Sequence, residues 1–130
     1  MKKILYLMRH GETLFNVQGK IQGWCDSPLT TNGIRQAKAA AAYYEREGIK
    51  FDAACCSTAE RASDTLELIT SLPYERLKGI REVGFGTFEG ENTNIFILQE
   101  NSVMPDITSN LAEKMKTRSE SASSKLCLKS

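Results

Sequence analysis

Apolar residues recur along this chain in a few arrangements that predict regular structure. KILYLM (Lys3–Met8) is a short apolar run without alternation, the pattern of a strand covered on both faces in a parallel sheet. FDAACCS (51–57) reads as a second strand. Between them, TNGIRQAKAAAAYYEREG (31–48) is alanine-rich and places Ile34, Ala37, Ala41 and Tyr44 at helical spacing. Pro28 and the neighbouring threonines can start that helix, and Gly48 can stop it. TAERASDTLELITSLP (58–73) predicts a further helix, closed by Pro73.

The order strand, helix, strand, helix predicts an α/β layered fold, a mostly parallel sheet flanked by helices with right-handed crossovers. Ligands bind beyond the carboxyl ends of the strands in open sheets of this kind. Arg9 and His10 follow the first strand, while Ser57 and Arg61 follow the second, at a helix N-terminus. Two distant pieces of sequence should therefore converge on one rim.

The pattern changes after Gly90. A brief apolar cluster at Ile95 to Leu98 gives way to a serine- and lysine-rich end with no aromatic residue after Phe96. The expected organisation is a folded part over residues 1–92 and a divergent, poorly ordered tail over 93–130, with one short helix around Asn110 to Lys116.

Composition narrows the function classes. The 130 residues suit one domain, and 17 basic against 16 acidic side chains leave a net charge of +1. No bulk field points to nucleic acid or to a membrane surface. MKKILYLM lacks the long apolar region and small-residue cleavage site of a secretory signal, so a cytoplasmic protein is expected. Cys25, Cys55, Cys56 and Cys127 have no zinc-like spacing, and Cys55 and Cys56 should act as small buried hydrophobes.

The single histidine of the chain, His10, stands in LMRHGET between an arginine and a glycine. Two arginines brought together make a positive pocket of planar donors, which matches phosphate oxygens. An imidazole there can act as nucleophile, base or metal ligand; the last lacks a second histidine or clustered acid at ligand spacing. Phosphoryl transfer would ask the arginines to hold charge on the oxygens, the histidine to attack, and a carboxylic acid to protonate the leaving alkoxide.

LMRHGETLFN, IQGWCDSPLTTNGIRQA, CCSTAERASDT and IREVGFGTFEG, in that order, closely resemble the histidine phosphatase superfamily. The resemblance covers roughly residues 1–92. It implies a phosphoglycerate mutase-like layered fold and a mechanism without metal or cofactor. His10 would be the phosphorylated nucleophile and Glu82 the proton donor. Arg9 and Arg61 would clamp the phosphate, Asn16 would contact it, and Gln22 and Gly23 would border the substrate. REVGFGTFEG is more like the phosphatase branch than the mutase branch. The expected function is thus a phosphomonoester hydrolase acting on small phosphorylated metabolites, with a mutase-type isomerase as an alternative.

The resemblance also implies a second catalytic histidine, on a strand beside the first. This chain has none after His10, and the pattern beyond Asn92 suggests a truncated or frame-shifted frame with an incomplete C-terminal part. Losing one oxyanion donor costs roughly 10² to 10³ in rate. A further alternative is therefore an impaired fragment that only binds phosphate. The first strand should also lack a central partner, with poor solubility or a molten core as the consequence.

Overall fold

The computed structural model describes residues 3–94 and 124–129. Strand β1 (Ile4–Arg9) leads through the one-turn helix α1 (Leu14–Val17) to the long helix α2 (Thr31–Arg46). Strand β2 (Ala53–Ser57), helix α3 (Glu60–Glu67) and strand β3 (Tyr74–Leu77) follow, and β4 (Ser124–Lys129) closes the sheet. The order across the sheet is β1-β4-β2-β3 with every pair parallel. This is the layered α/β architecture the periodicity implies.

The main core lies on the face where Ala54 and Cys56 of β2 meet Leu126 and Leu128 of β4, under Ala62 and Leu66 of α3. Tyr44 of α2 extends this layer, its ring edge-on to Tyr6 at 5.7 Å and to Phe51 at 5.0 Å. On the opposite face Cys55 and Cys127 pack with Ile80 and Leu77. The buried cysteines thus behave as small hydrophobes.

Local chemistry sets the helix ends. Thr30 caps α2 by accepting the Gly33 amide at 3.0 Å, and Gly48 takes the left-handed conformation (φ +65°) just past its last turn. No described helix is long and apolar enough to cross a membrane.

Three expectations need correction. β1 does have a partner: SKLCLK, inside the segment expected to be a poorly ordered tail, inserts between β1 and β2, with Leu126, Cys127 and Leu128 fully buried. Each of its faces finds apolar cover, which outweighs the polar composition around it. The short helix expected around Asn110 to Lys116 lies outside the described residues. Helix α3 stops at Glu67 rather than running to Pro73, and YERL forms β3, an edge strand that the sequence reading missed. On its outer edge β1 has no partner among the described residues, and Ile4, Leu5 and Leu7 remain 43%, 47% and 53% exposed.

Candidate active site

The carboxyl ends of β1 and β2 meet where the motif residues lie. The loop after β1 approaches the start of α2 so closely that a Cβ on Gly11 would sit 2.6 Å from the Gly33 carbonyl oxygen. Glu12 fastens the contact from the side: its carboxylate accepts from Thr30 Oγ1 at 2.6 Å and from Asn32 Nδ2 at 3.3 Å. The Gly11 amide donates to Thr65 Oγ1 (3.0 Å), which itself donates to the Arg61 carbonyl (2.7 Å), tying the loop to α3. His10 therefore projects from backbone held on two sides.

His10 is 9% exposed, and its Nδ1 lies 2.7 Å from the Gly11 carbonyl oxygen. A carbonyl can only accept, so Nδ1 carries the hydrogen and the neutral ring keeps its lone pair on Nε2. Burial pushes the imidazole pKa below its ordinary value; the Gly11 hydrogen bond opposes this, Arg61 and Arg9 add to it, and Asp26 opposes it.

Arg61 is 1% exposed. Its Nη1 donates to the Cys25 carbonyl (2.9 Å) and to Asp26 Oδ1 (3.1 Å), and Nη2 donates to the Gly23 carbonyl (3.0 Å). Nε is buried without a hydrogen-bond partner among the described residues. Of the five guanidinium hydrogens, Nε–H and one on Nη2 have no partner among the described residues. The side chain reaches inward because Asp26 also accepts the Glu60 amide at 2.6 Å, capping a helix whose own N-cap, Ala59, has no side-chain acceptor.

Asn16 and Thr13 close a capping box around α1, so Asn16 Oδ1 is occupied and its Nδ2 is the donor left over. Gln22 Oε1 accepts from Ser27 Oγ at 3.0 Å. Residues 19–21 run antiparallel to 90–93, through Thr93 N to Gly19 O (2.8 Å) and Gly90 N to Ile21 O (2.8 Å). This pairing brings the Glu82 loop alongside. A cavity of about 340 Å³ results, lined by Arg9, His10, Asn16, Gln22, Gly23, Arg61 and Glu82, every site residue named from the sequence. Lys20, Ile21, Val83, Phe85 and Thr93 complete its wall.

The sequence reading missed Asp26 and Glu89. Asp26 lies within a quoted motif, but its partner is 35 residues away. The uncapped start of α3 was the available signal, since some acceptor had to serve those amides. Trp24 packs on Gly84, yet it is 59% exposed, and its indole Nε1 donates to the Glu82 carbonyl at 2.9 Å.

Residues 5–124 match the family model for the histidine phosphatase superfamily (branch 1). The chain belongs to that superfamily. The matched stretch runs past Asn92, where the motifs end. A 2,3-bisphosphoglycerate-dependent phosphoglycerate mutase from Xanthobacter autotrophicus is 38% identical over 96 residues, covering 69% of this chain and 46% of that protein. The chain thus spans less than half the length of this curated relative. Among solved structures, YhfR from Bacillus stearothermophilus superposes with a TM-score of 0.79 at 26% identity, over 97% of this chain and 73% of that one. A phosphoserine phosphatase from Entamoeba histolytica, in complex with phosphoserine, gives 0.76 at 29% identity, over 96% and 72%. The superfamily thus joins phosphatases and mutases on this fold. β4 lies directly beside β1, and Lys129 stands level with Arg9.

Proposed function

We propose that this chain is a phosphomonoester hydrolase working through a phosphohistidine at His10. The observation that carries the reading is the 2.7 Å contact of His10 Nδ1 with the Gly11 carbonyl: it takes up Nδ1–H and leaves Nε2 as the nucleophile of a ring that lines one cavity with Arg9, Arg61 and Glu82. Nε2 attacks the phosphorus of a small phosphorylated metabolite in line with the leaving oxygen. The P–O bond breaks, and the Glu82 carboxyl gives its proton to the departing alkoxide. Water then attacks the phosphohistidine, Glu82 takes up the water proton, and the P–N bond breaks to release phosphate. Arg9 and the two remaining hydrogens of Arg61 carry the charge on the oxygens, with Asn16 Nδ2 and the Gln22–Gly23 loop beside them. No metal or cofactor takes part, and the phosphorylated substrate is the only partner the reading needs. A reducing cytoplasm suits both that substrate and the free thiols.

Turnover of an aryl phosphate in the presence of a chelator, abolished in His10→Ala, is the expected result. Turnover that survives in His10→Ala overturns the reading.

One other reading has specific support. The mutase relative favours an isomerase, which would require a priming bisphosphate for activity.

A further inference from the structure

We propose that Glu89, which does not line the cavity, is a positioning residue that holds the Arg61 guanidinium in place through the Gly23–Trp24 peptide group. The proposal rests on the reading of Arg61 as an anion ligand only for its functional consequence.

Glu89 makes contacts no ordinary surface carboxylate makes. Oε1 accepts the Trp24 amide at 2.8 Å and the Phe85 amide at 3.0 Å, and Oε2 accepts the Cys25 amide at 3.2 Å. These bonds hold its carboxyl below the usual carboxylate range. The Gly23–Trp24 peptide is gripped from both ends, its N–H by Glu89 and its C=O by Arg61 Nη2 at 3.0 Å. The next peptide repeats the pattern, with the Cys25 N–H on Glu89 and the Trp24 C=O accepting from Arg81 Nη2 at 3.0 Å.

The turn packs directly on this carboxylate. Gly23 has φ +56°, and a Cβ there would fall 2.6 Å from Glu89 Oε1. Through the Phe85 amide the same carboxylate also joins this turn to the loop that carries Glu82. Without Glu89, the Trp24 and Phe85 amides lose their acceptor while the Cys25 amide keeps the Gln22 carbonyl at 2.9 Å, the Gly23–Trp24 peptide can rotate, and Arg61 loses a carbonyl that fixes the direction of its Nε–H. A geometric error of that kind weakens recognition of a tetrahedral anion while leaving the sheet intact.

The experiment compares wild type, Glu89→Ala and Glu89→Gln in the full chain. It reads the His10 imidazole titration by NMR without ligand, and inorganic phosphate affinity by calorimetry. Glutamine keeps the oxygen that serves Trp24 and Phe85 but removes the charge and the weaker 3.2 Å acceptor for the Cys25 amide, which retains the Gln22 carbonyl; alanine removes the charge and every acceptor. In Glu89→Ala the His10 pKa should rise toward its ordinary value as Arg61 drifts, and phosphate affinity should fall about tenfold or more. Glu89→Gln should stay near wild type in both, which neither a charge effect nor loss of the fold would produce. A Glu89→Ala protein with wild-type titration and wild-type phosphate affinity overturns the proposal and leaves the phosphatase reading standing. An equal shift in both variants overturns it in favour of plain electrostatics. If wild type fails to bind phosphate while Glu89→Ala still moves the titration, the positioning role holds and the phosphatase reading falls.

Discussion

Asp26 and Arg61 meet at 3.1 Å across 35 residues of sequence, and the same carboxylate caps the helix that carries Arg61. One side chain thus sets the helix start and the charge it delivers. Asp26→Ala should lower stability by about 2 kcal/mol, combining a lost cap with a buried guanidinium deprived of its counter-charge. Urea denaturation measures this. A midpoint equal to wild type would mean that water serves both roles equally well.

Having one histidine makes the electrostatics of the site directly readable. The His10 resonance should titrate below about 6.5, because burial and two guanidinium groups outweigh the Gly11 hydrogen bond and Asp26. A depressed pKa means the unfolded chain binds more protons, so this group's stabilisation is complete above the unfolded value and is lost as pH falls through the folded one. The same protonation removes the Nε2 lone pair, so activity should fall on the acid side in step with the titration. Titration at or above 6.5 would count against the buried, arginine-flanked geometry.

Gly33 lies in the first turn of α2, where alanine would ordinarily add about 1 kcal/mol of stability. Here the added Cβ would lie 2.1 Å from the Glu12 carbonyl oxygen, so the sign should reverse. Gly33→Ala should destabilise by about 3 kcal/mol and push the His10 loop off α2, as Gly11→Ala should from the other side. Thermal melts decide it, and a raised Tm for Gly33→Ala refutes the close approach.

Among the described residues β1 is an edge strand, and it exposes Leu5 and Leu7 with charge only at its ends, Lys3 and Arg9. Leu7→Lys should raise the soluble fraction at high concentration while changing stability by less than about 0.5 kcal/mol. Light scattering against concentration separates the cases. Unchanged association in that variant would place the sticky surface elsewhere.

Much of this was legible in the sequence because the signals were local. β1 and β2 are unbroken apolar runs, and α2 carries its own cap and stop at Thr30 and Gly48. RHGET encodes its loop compactly, with Gly11 for the close approach, Glu12 for the lateral fastening and Thr13 for the cap of α1. What escaped was set by distant partners. SKLCLK looks like part of a polar tail until β1 and β2 enclose it. YERL is too polar and short to read as a strand without β2 beside it. Asp26 and Glu89 are ordinary surface acids in one dimension; only the folded chain brings loop amides and a buried guanidinium to them.

The central claim is that His10 receives the phosphoryl group. The chain is mixed with an aryl phosphate, quenched in alkali, where phosphohistidine survives, and mapped by peptide mass spectrometry. One phosphoryl group on the peptide containing His10, absent in His10→Ala and discharged on dilution of the substrate, is the result this account predicts. Turnover with no phosphoryl group on His10, or with one on another residue, would contradict it.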